Sequence, residues 1–518
     1  MRSPSAPVGA LFAALTLLLP GSMGATALAQ ASSTWGEFQG GPARAGASET
    51  GPEPPYRRAW ETSVAPEGPD ERFGLSAPVI AGDLAISVGP EHVVAVDVES
   101  GEPSFSVDRD LGPSVPGAVA SVRGADVLVY TQGWGAGPPA APGATTQSPS
   151  PATPSAGPSD SPGAPGDDGQ VFDSELATLD VESQRQLWPP VPLDGVSRSG
   201  VTVEGDRAFV GLNGGTVVGV DLADGTVAWQ RDLDGQLVTS LAASDGLVFA
   251  GLQGDGETPP VLAAIDQATG EVRWRYEPTG AASIVSAPSV ADSAVHAVFT
   301  GLSETSVVAL AAGTGEQIWS QRLDSAFDVA APPVVAGGAV YVTDPRGQSR
   351  ALDAASGEQR WDFAQNSIVL RTVPVLVGDH LIVPTIDGEL AAIEVATGEL
   401  VWRGVADGSP IRAMAVAGER LIAVSGGAQN GFVAFEHDPA GTLVREPSPT
   451  TLALVPMLGA MAVVAIPLLA LVLLLGRALA SRMGPAFPDD AGSADGGPDD
   501  DGVPIRDPWE DDEEDPTR

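Results

Sequence analysis

The 518-residue chain sets 67 acidic residues against 26 basic ones, a formal charge of −41. That balance excludes the basic footprint of a nucleic-acid binder and opposes anionic membrane surfaces as partners. With no cysteine, disulfides, thiolate zinc sites, iron–sulfur clusters, thiol catalysis and c-type haem attachment are excluded. Every basic residue is arginine, which removes Schiff-base lysines, Ser–Lys nucleophiles and a phosphate loop ending in Gly-Lys.

At the N-terminus Arg2 precedes an apolar stretch from Val8 to Pro20 and small residues ending in Ala27-Leu28-Ala29-Gln30-Ala31. A charged start, an apolar centre and an A-x-A site predict a secretory signal over residues 1–31. Cleavage after Ala29 or Ala31 fits equally well. Residues 32–446 are expected to form the extracytoplasmic domain.

One pattern recurs between residues 60 and 445: a small residue, any residue, an acid, then a glycine four residues on and a tryptophan four further. The clearest copies are Ala264-Ile265-Asp266 with Gly270 and Trp274, and Ala351-Leu352-Asp353 with Gly357 and Trp361. Asp221/Gly225/Trp229 and Glu394/Gly398/Trp402 repeat it. Ala311 replaces the acid before Gly315 and Trp319, and Gln184 replaces the glycine between Asp180 and Trp188. In the first copy Asp97 and Gly101 lead to Phe105, and the last, at Glu436, has no aromatic in place.

The anchors at 97, 180, 221, 266, 311, 353, 394 and 436 are mostly 41 to 45 residues apart, the length of one four-stranded propeller blade. In the sixth copy the strands are predicted at Pro332–Val335, Ala339–Val342, Arg350–Leu352 and Gln359–Trp361. The acid is suited to accept hydrogen bonds from turn N–H groups, and the glycine supplies a positive φ. The tryptophan is expected to dock on the neighbouring blade. Trp60, ahead of the first complete unit, reads as an orphan fourth strand for the unit at Glu436. The fold class is therefore all-β: an eight-bladed propeller of four-stranded blades, closed by pairing its two ends. Seven tryptophans are assigned to scaffold, leaving Trp35, Trp134 and Trp509.

The one long spacing, 83 residues, contains a Pro/Ser/Ala/Thr/Gly-rich insertion at 133–170. It falls between the second and third strands of blade 2 and is expected to be disordered. Solvation is its default role and O-glycosylation the alternative.

Leu452 to Leu475 is apolar and uncharged, and its 24 residues would extend about 36 Å as a helix, enough for a hydrocarbon core of ~30 Å. A transmembrane helix is predicted at 451–476, with Arg477 and Arg482 on its cytoplasmic side. The acidic tail at 477–518 should be disordered and cytoplasmic. Its lone Trp509 reads as incidental, with a short docking motif as the alternative.

These repeats resemble the quinoprotein-type (PQQ-like) family, whose tryptophan-docking motif is Ala-x-Asp-x-x-Thr-Gly-x-x-x-Trp. Thr269-Gly270, Thr314-Gly315 and Thr397-Gly398 keep even the threonine. Trp35-Gly36-Glu37-Phe38 and Gly40-Gly41-Pro42-Ala43-Arg44 resemble the family's N-terminal segment. The resemblance implies two branches: dehydrogenases holding pyrroloquinoline quinone over calcium, and a non-catalytic branch similar to the outer-membrane assembly lipoprotein.

For the first branch the vicinal cysteine pair is impossible, and Asn213, Asn366 and Asn430 do not align with a calcium-ligand position. His92, His296, His380 and His437 fall in separate units without metal-ligand spacing, and His296 reads as a packed core residue. No catalytic, cofactor-binding or metal residue is assigned, and no cofactor. The expected function is a non-catalytic protein-interaction scaffold on the membrane, with other envelope or membrane proteins as partners. The alternatives are a quinone- and calcium-dependent dehydrogenase, or a sensor signalling through the tail. Contacts are expected at the second-to-third-strand loops, such as Asn213–Gly215 and Asp344–Gln348.

Overall fold

The computed structural model describes residues 35–443, except 65–73, 134–173, 238, 255–257, 280–281, 283, 302–303, 324–330, 366–368, 370–372, 406–409 and 427–430. The predicted signal, the span at 451–476, the acidic tail and all of the insertion but Gly133 lie outside the described residues. Among the described residues no helix is long and apolar enough to cross a membrane.

Among the described residues each repeat becomes its own sheet of antiparallel strands, eight in all, with one short extra strand in the sheets of blades 4, 5 and 7. Blade 1 is Val79–Ala81, Leu84–Val88, His92–Asp97 and Pro103–Asp108. Blades 2 to 7 follow over 118–193, 197–232, 236–276, 284–323, 334–364 and 375–405. The sixth blade is Val334–Ala336, Ala339–Thr343, Gln348–Asp353 and Gln359–Ala364, within three residues of the expected bounds at every end.

The strand order explains the patterning. Second strands are covered on both sides by neighbouring blades, so they read as unbroken apolar runs. Ala294–Thr300, for example, is buried at every position. Fourth strands face solvent on one side, and Val227–Asp232 buries only Trp229 fully. The core lies between blades rather than at one centre. Val298 and Val307 of blade 5 pack with Val335, Val340 and Leu352 of blade 6. Tyr341 and Phe363 of blade 6 pack with Leu381 and Ile393 of blade 7.

The ring closes as the orphan tryptophan predicts. Blade 8 takes three strands from the end of the domain, Ile411–Ala417, Arg420–Ser425 and Gly431–His437, and its outer strand, Tyr56–Ser63, from the beginning. Trp60 pairs with Ala434 in an antiparallel ladder, so the third strand is not left as an open edge. Arg57 Nε donates to Glu436 Oε1 at 2.8 Å across this seam. Arg420 bonds Glu436 too, and reaches Glu99 of blade 1 at 2.7 Å.

Candidate functional site: two unlike faces

Because the strands alternate in direction, the turns joining strands one to two and three to four share one face. Val98 N–H, in a three-to-four turn, donates to Asp83 of the adjacent one-to-two turn at 2.8 Å. The opposite face carries the two-to-three loops and the blade-to-blade connections.

The turn face is built from the repeat's own chemistry. Asp266 Oδ1 accepts Ala268 N–H, Thr269 N–H and Thr269 Oγ1–H at 3.0, 2.8 and 2.9 Å. Arg273 pairs with its other oxygen at 2.6 Å. Arg273 first, then the turn, hold the Asp266 carboxyl down at about 2. Asp353 repeats this with Arg360, Ala355 and Ser356, and is likewise near 2. Hydrogen bonds from the Ser100 hydroxyl and N–H lower Asp97. These acids cap turns, as their position in the repeat predicts.

Six tryptophans dock across blade boundaries onto that face. The indole N–H of Trp60 donates to Val98, Trp188 to Leu222, Trp229 to Gln267, Trp274 to Ala312, Trp319 to Ala354 and Trp361 to Val395, all carbonyls of the next blade's turn. Trp402 differs because blade 8 has no three-to-four turn of its own. It meets Tyr56 edge-on instead, with ring centroids 5.2 Å apart.

At the axis, the turn face is lined by residues 35–48, a role the repeat pattern did not reveal. Trp35, which had no place in the repeat, is 1% exposed. Carbonyls of Trp35 and Gly36 accept the N–H groups of Ile80 and Val119 at 2.7 and 2.8 Å, from the innermost strands of blades 1 and 2.

The loop face carries both predicted contact loops. Asn213–Gly215 is a tight turn closed by Gly215 N–H on Leu212 O at 2.9 Å, and Asn213 Oδ1 is enclosed without a partner. In Asp344–Gln348, Asp344 Oδ1 accepts Arg346 N–H and Gln348 N–H at 2.8 and 3.0 Å, leaving the Arg346 side chain exposed at the tip. Enclosed polar atoms without a hydrogen-bond partner also occur here at Arg109, Thr131, Ser197 and Gln365, while Arg350 Nη1 lies 3.9 Å from Asp344 Oδ2. Arg109, at the root of the insertion, is brought down to about 10 by burial.

The histidines stay apart. His92 Nδ1 is 3.1 Å from Asp108 in blade 1, and His437 Nδ1 is 2.9 Å from the Glu53 carbonyl at the seam. His380 opens the second strand of blade 7 and is half-buried. His296 is 1% exposed in blade 5, 5.9 Å from the Trp319 ring and directly across the ladder from Ser289. Among the described residues no three His, Asp or Glu side chains are grouped to hold a metal ion. Asn366 and Asn430 lie outside the described residues.

The profile of the family described as outer membrane protein assembly factor BamB matches residues 173–348, 261–372 and 346–444, more than half of the chain. The chain belongs to the BamB family. BamB from Moraxella catarrhalis is similar at 18% identity and a TM-score of 0.52, over 74% of this chain and 99% of that one. A europium-containing methanol dehydrogenase superposes at 13% identity and 0.53, over 78% of this chain and 98% of its own. The quinohemoprotein alcohol dehydrogenase ADHIIG of Pseudomonas putida HK5 does so at 13% and 0.52, over 80% and 82%. At these identities the solved structures share the fold with this BamB-family chain. No curated protein matches its sequence.

Proposed function

We propose that the protein is a membrane-anchored extracytoplasmic propeller that acts as a non-catalytic interaction scaffold, contacting other envelope or membrane proteins through its loop face. One observation carries this reading: the two faces divide the sequence between constancy and variation. The turn face is spent on the repeat, its acids capping turns and its carbonyls holding tryptophans. The loop face carries the connections that differ from blade to blade, including the insertion after Gly133. Variable loops on a rigid scaffold are where recognition is placed. Membership of an assembly-factor family supports an envelope partner. The signal at 1–31 and the span at 451–476 supply the proposed address, with the tail at 477–518 in the cytoplasm.

The test is photo-crosslinking in membranes from single positions on each face. Cross-links to a discrete set of envelope or membrane proteins from Arg346 and Gly214, and none from Asp224 or Glu271, are expected. The same set captured from both faces, or from neither, overturns the reading.

The dehydrogenase neighbours keep a second reading in view. Reconstitution with pyrroloquinoline quinone and calcium, followed by assays on alcohols and sugars with an artificial acceptor, separates the two. Stoichiometric binding with turnover promotes the dehydrogenase. Binding without turnover favours a sensor acting through the tail.

A further inference from the structure

We infer that residues 35–48 act as an axial latch, one strap that ties seven blades into a single cooperative unit and closes the axis at the turn face. The inference goes beyond the scaffold reading and holds whichever partner binds.

The strap visits the blades in chain order. After Trp35 and Gly36 reach blades 1 and 2, Glu37 Oε1 accepts Val203 N–H of blade 3 at 3.0 Å. Carbonyls of Pro42, Ala43 and Ala45 accept Ala243, Val290 and Val335 N–H of blades 4, 5 and 6, each at 2.8 Å. Gly46 O accepts Leu376 N–H of blade 7 at 2.9 Å, and Ala47–Ser48 pairs in parallel with Leu376–Val377.

The register is as regular as the order. Ile80, Ala243, Val290, Val335 and Leu376 are each the middle residue of a three-residue innermost strand, and Val203 is the last but one of Ser197–Glu204. Val119 alone sits further from its turn. These N–H groups lie on the edge that faces the axis, where a first strand has no neighbour in its own sheet. Unmet and enclosed, each would cost about 1–3 kcal/mol, and the strap supplies the acceptors.

One side chain holds the strap at its middle. Arg44 is 0% exposed. It donates to Leu241 O, Phe38 O, Val201 O and Thr202 Oγ1 at 2.5, 2.6, 3.1 and 2.6 Å, joining the strap to blades 3 and 4. Glu37 Oε2 lies 3.8 Å from its Nη2. Gly46, at φ +71°, marks the far end, where a Cβ would stand 3.0 Å from Val334.

Amide hydrogen exchange on the full chain tests the latch with two variants at different points along it. In Arg44→Met, the amides of Ile80, Val119, Val203, Ala243, Val290, Val335 and Leu376 should exchange together, at least tenfold faster than in the parent. Amides in the ladders between third and fourth strands should keep their rates. In Gly46→Ala the same seven should respond together, by a smaller factor. A response confined to blades 3 and 4 in the first variant, or to blades 6 and 7 in the second, overturns the latch. So does a uniform rise across all strands in Gly46→Ala, which would report global loosening.

Discussion

A Cβ built on Gly270 would stand 2.6 Å from Cδ2 of Trp229, the outer-strand tryptophan of the preceding blade. Gly270 also has φ +70°, and Trp229 donates to Gln267 in the same turn at 2.8 Å. The repeat's glycine therefore answers two demands at once: a left-handed backbone, and room for an indole arriving from the neighbouring blade. Gly315, Gly357 and Gly398 stand in the same relation to Trp274, Trp319 and Trp361. Gly270→Ala should accordingly cost about 3 kcal/mol, combining left-handed strain with overpacking. Chemical denaturation reads the loss, and a wild-type midpoint would show that the ring moves aside freely.

Removing the indole should cost more. Trp274→Ala and Trp361→Ala are each expected to lose about 3–5 kcal/mol, as large aromatic truncations in cores do. Trp509→Ala, in the acidic tail, should leave the melting temperature unchanged. Equal effects at the three positions would show that the division between scaffold and tail tryptophans is mistaken.

Gln184 is the exception that tests the rule. It holds the glycine position of blade 2 at φ +56°, and the preceding blade supplies Phe105 where others supply tryptophan. By the geometry of the other blades, the smaller ring and the larger turn residue are expected to compensate each other. Phe105→Trp alone should destabilise, Gln184→Gly alone should change little, and the double variant should recover most of the loss. Additive effects in this double-mutant cycle would break the proposed coupling.

Much of this was legible in the sequence, for a physical reason. Blades are alike because each solves the same packing problem, so the acid, glycine and tryptophan recur in register and even Trp60 could be placed. The strap was not legible because it works through backbone carbonyls, which leave little trace in side-chain identity. Trp35 stood out as a tryptophan outside the repeat, and residues 35–38 and 40–44 as a resemblance to the family's N-terminal segment, but neither showed which blades the strap would reach. Recurring hydroxyls at Ser76, Ser199 and Ser286 were also missed. Each bonds backbone or side-chain groups of its blade's second strand, at Val88 and Ser87, Gly211 and Val298. The phrase Ser-Ala-Pro at 76–78 and 286–288 was the available signal. Loop-face chemistry differs in every blade, so no repeat could announce it.

A chain truncated to begin at Val64 should lose both the strap and the outer strand of blade 8. The strand Gly431–His437 would then present an open edge. Light scattering during size exclusion should detect dimers or larger species in place of the parent's distribution. An unchanged distribution with the parent's melting temperature would mean that the seam contributes little.

Two buried ionisable groups should give opposite pH dependences that largely cancel in the parent protein. Burial raises Glu37 to about 7, with Arg44 and the Val203 N–H pulling it down and Glu204 adding a smaller rise. Burial lowers His296 to about 4, offset only slightly by the Ser289 backbone. For Glu37, the unfolded carboxyl releases its proton near 4.5 while the folded one keeps it to about 7. Its contribution is thus complete below 4.5 and is lost as pH rises to 7. For His296, the unfolded imidazole takes a proton near 6.5 and the folded one only near 4. Its contribution is complete above 6.5 and is lost as pH falls to 4. Each term is worth about 3 kcal/mol at most, so between pH 4.5 and 6.5 they oppose each other. Urea unfolding across that window should show a shallow slope in the parent. Glu37→Gln should tilt stability toward rising with pH, through His296, with His380, which burial also lowers, acting in the same sense. His296→Leu should tilt it toward falling with pH, through Glu37, with Glu204, which burial also raises, acting in the same sense. Slopes of the same sign in both variants would show that one of the two groups keeps its ordinary affinity for protons inside the fold.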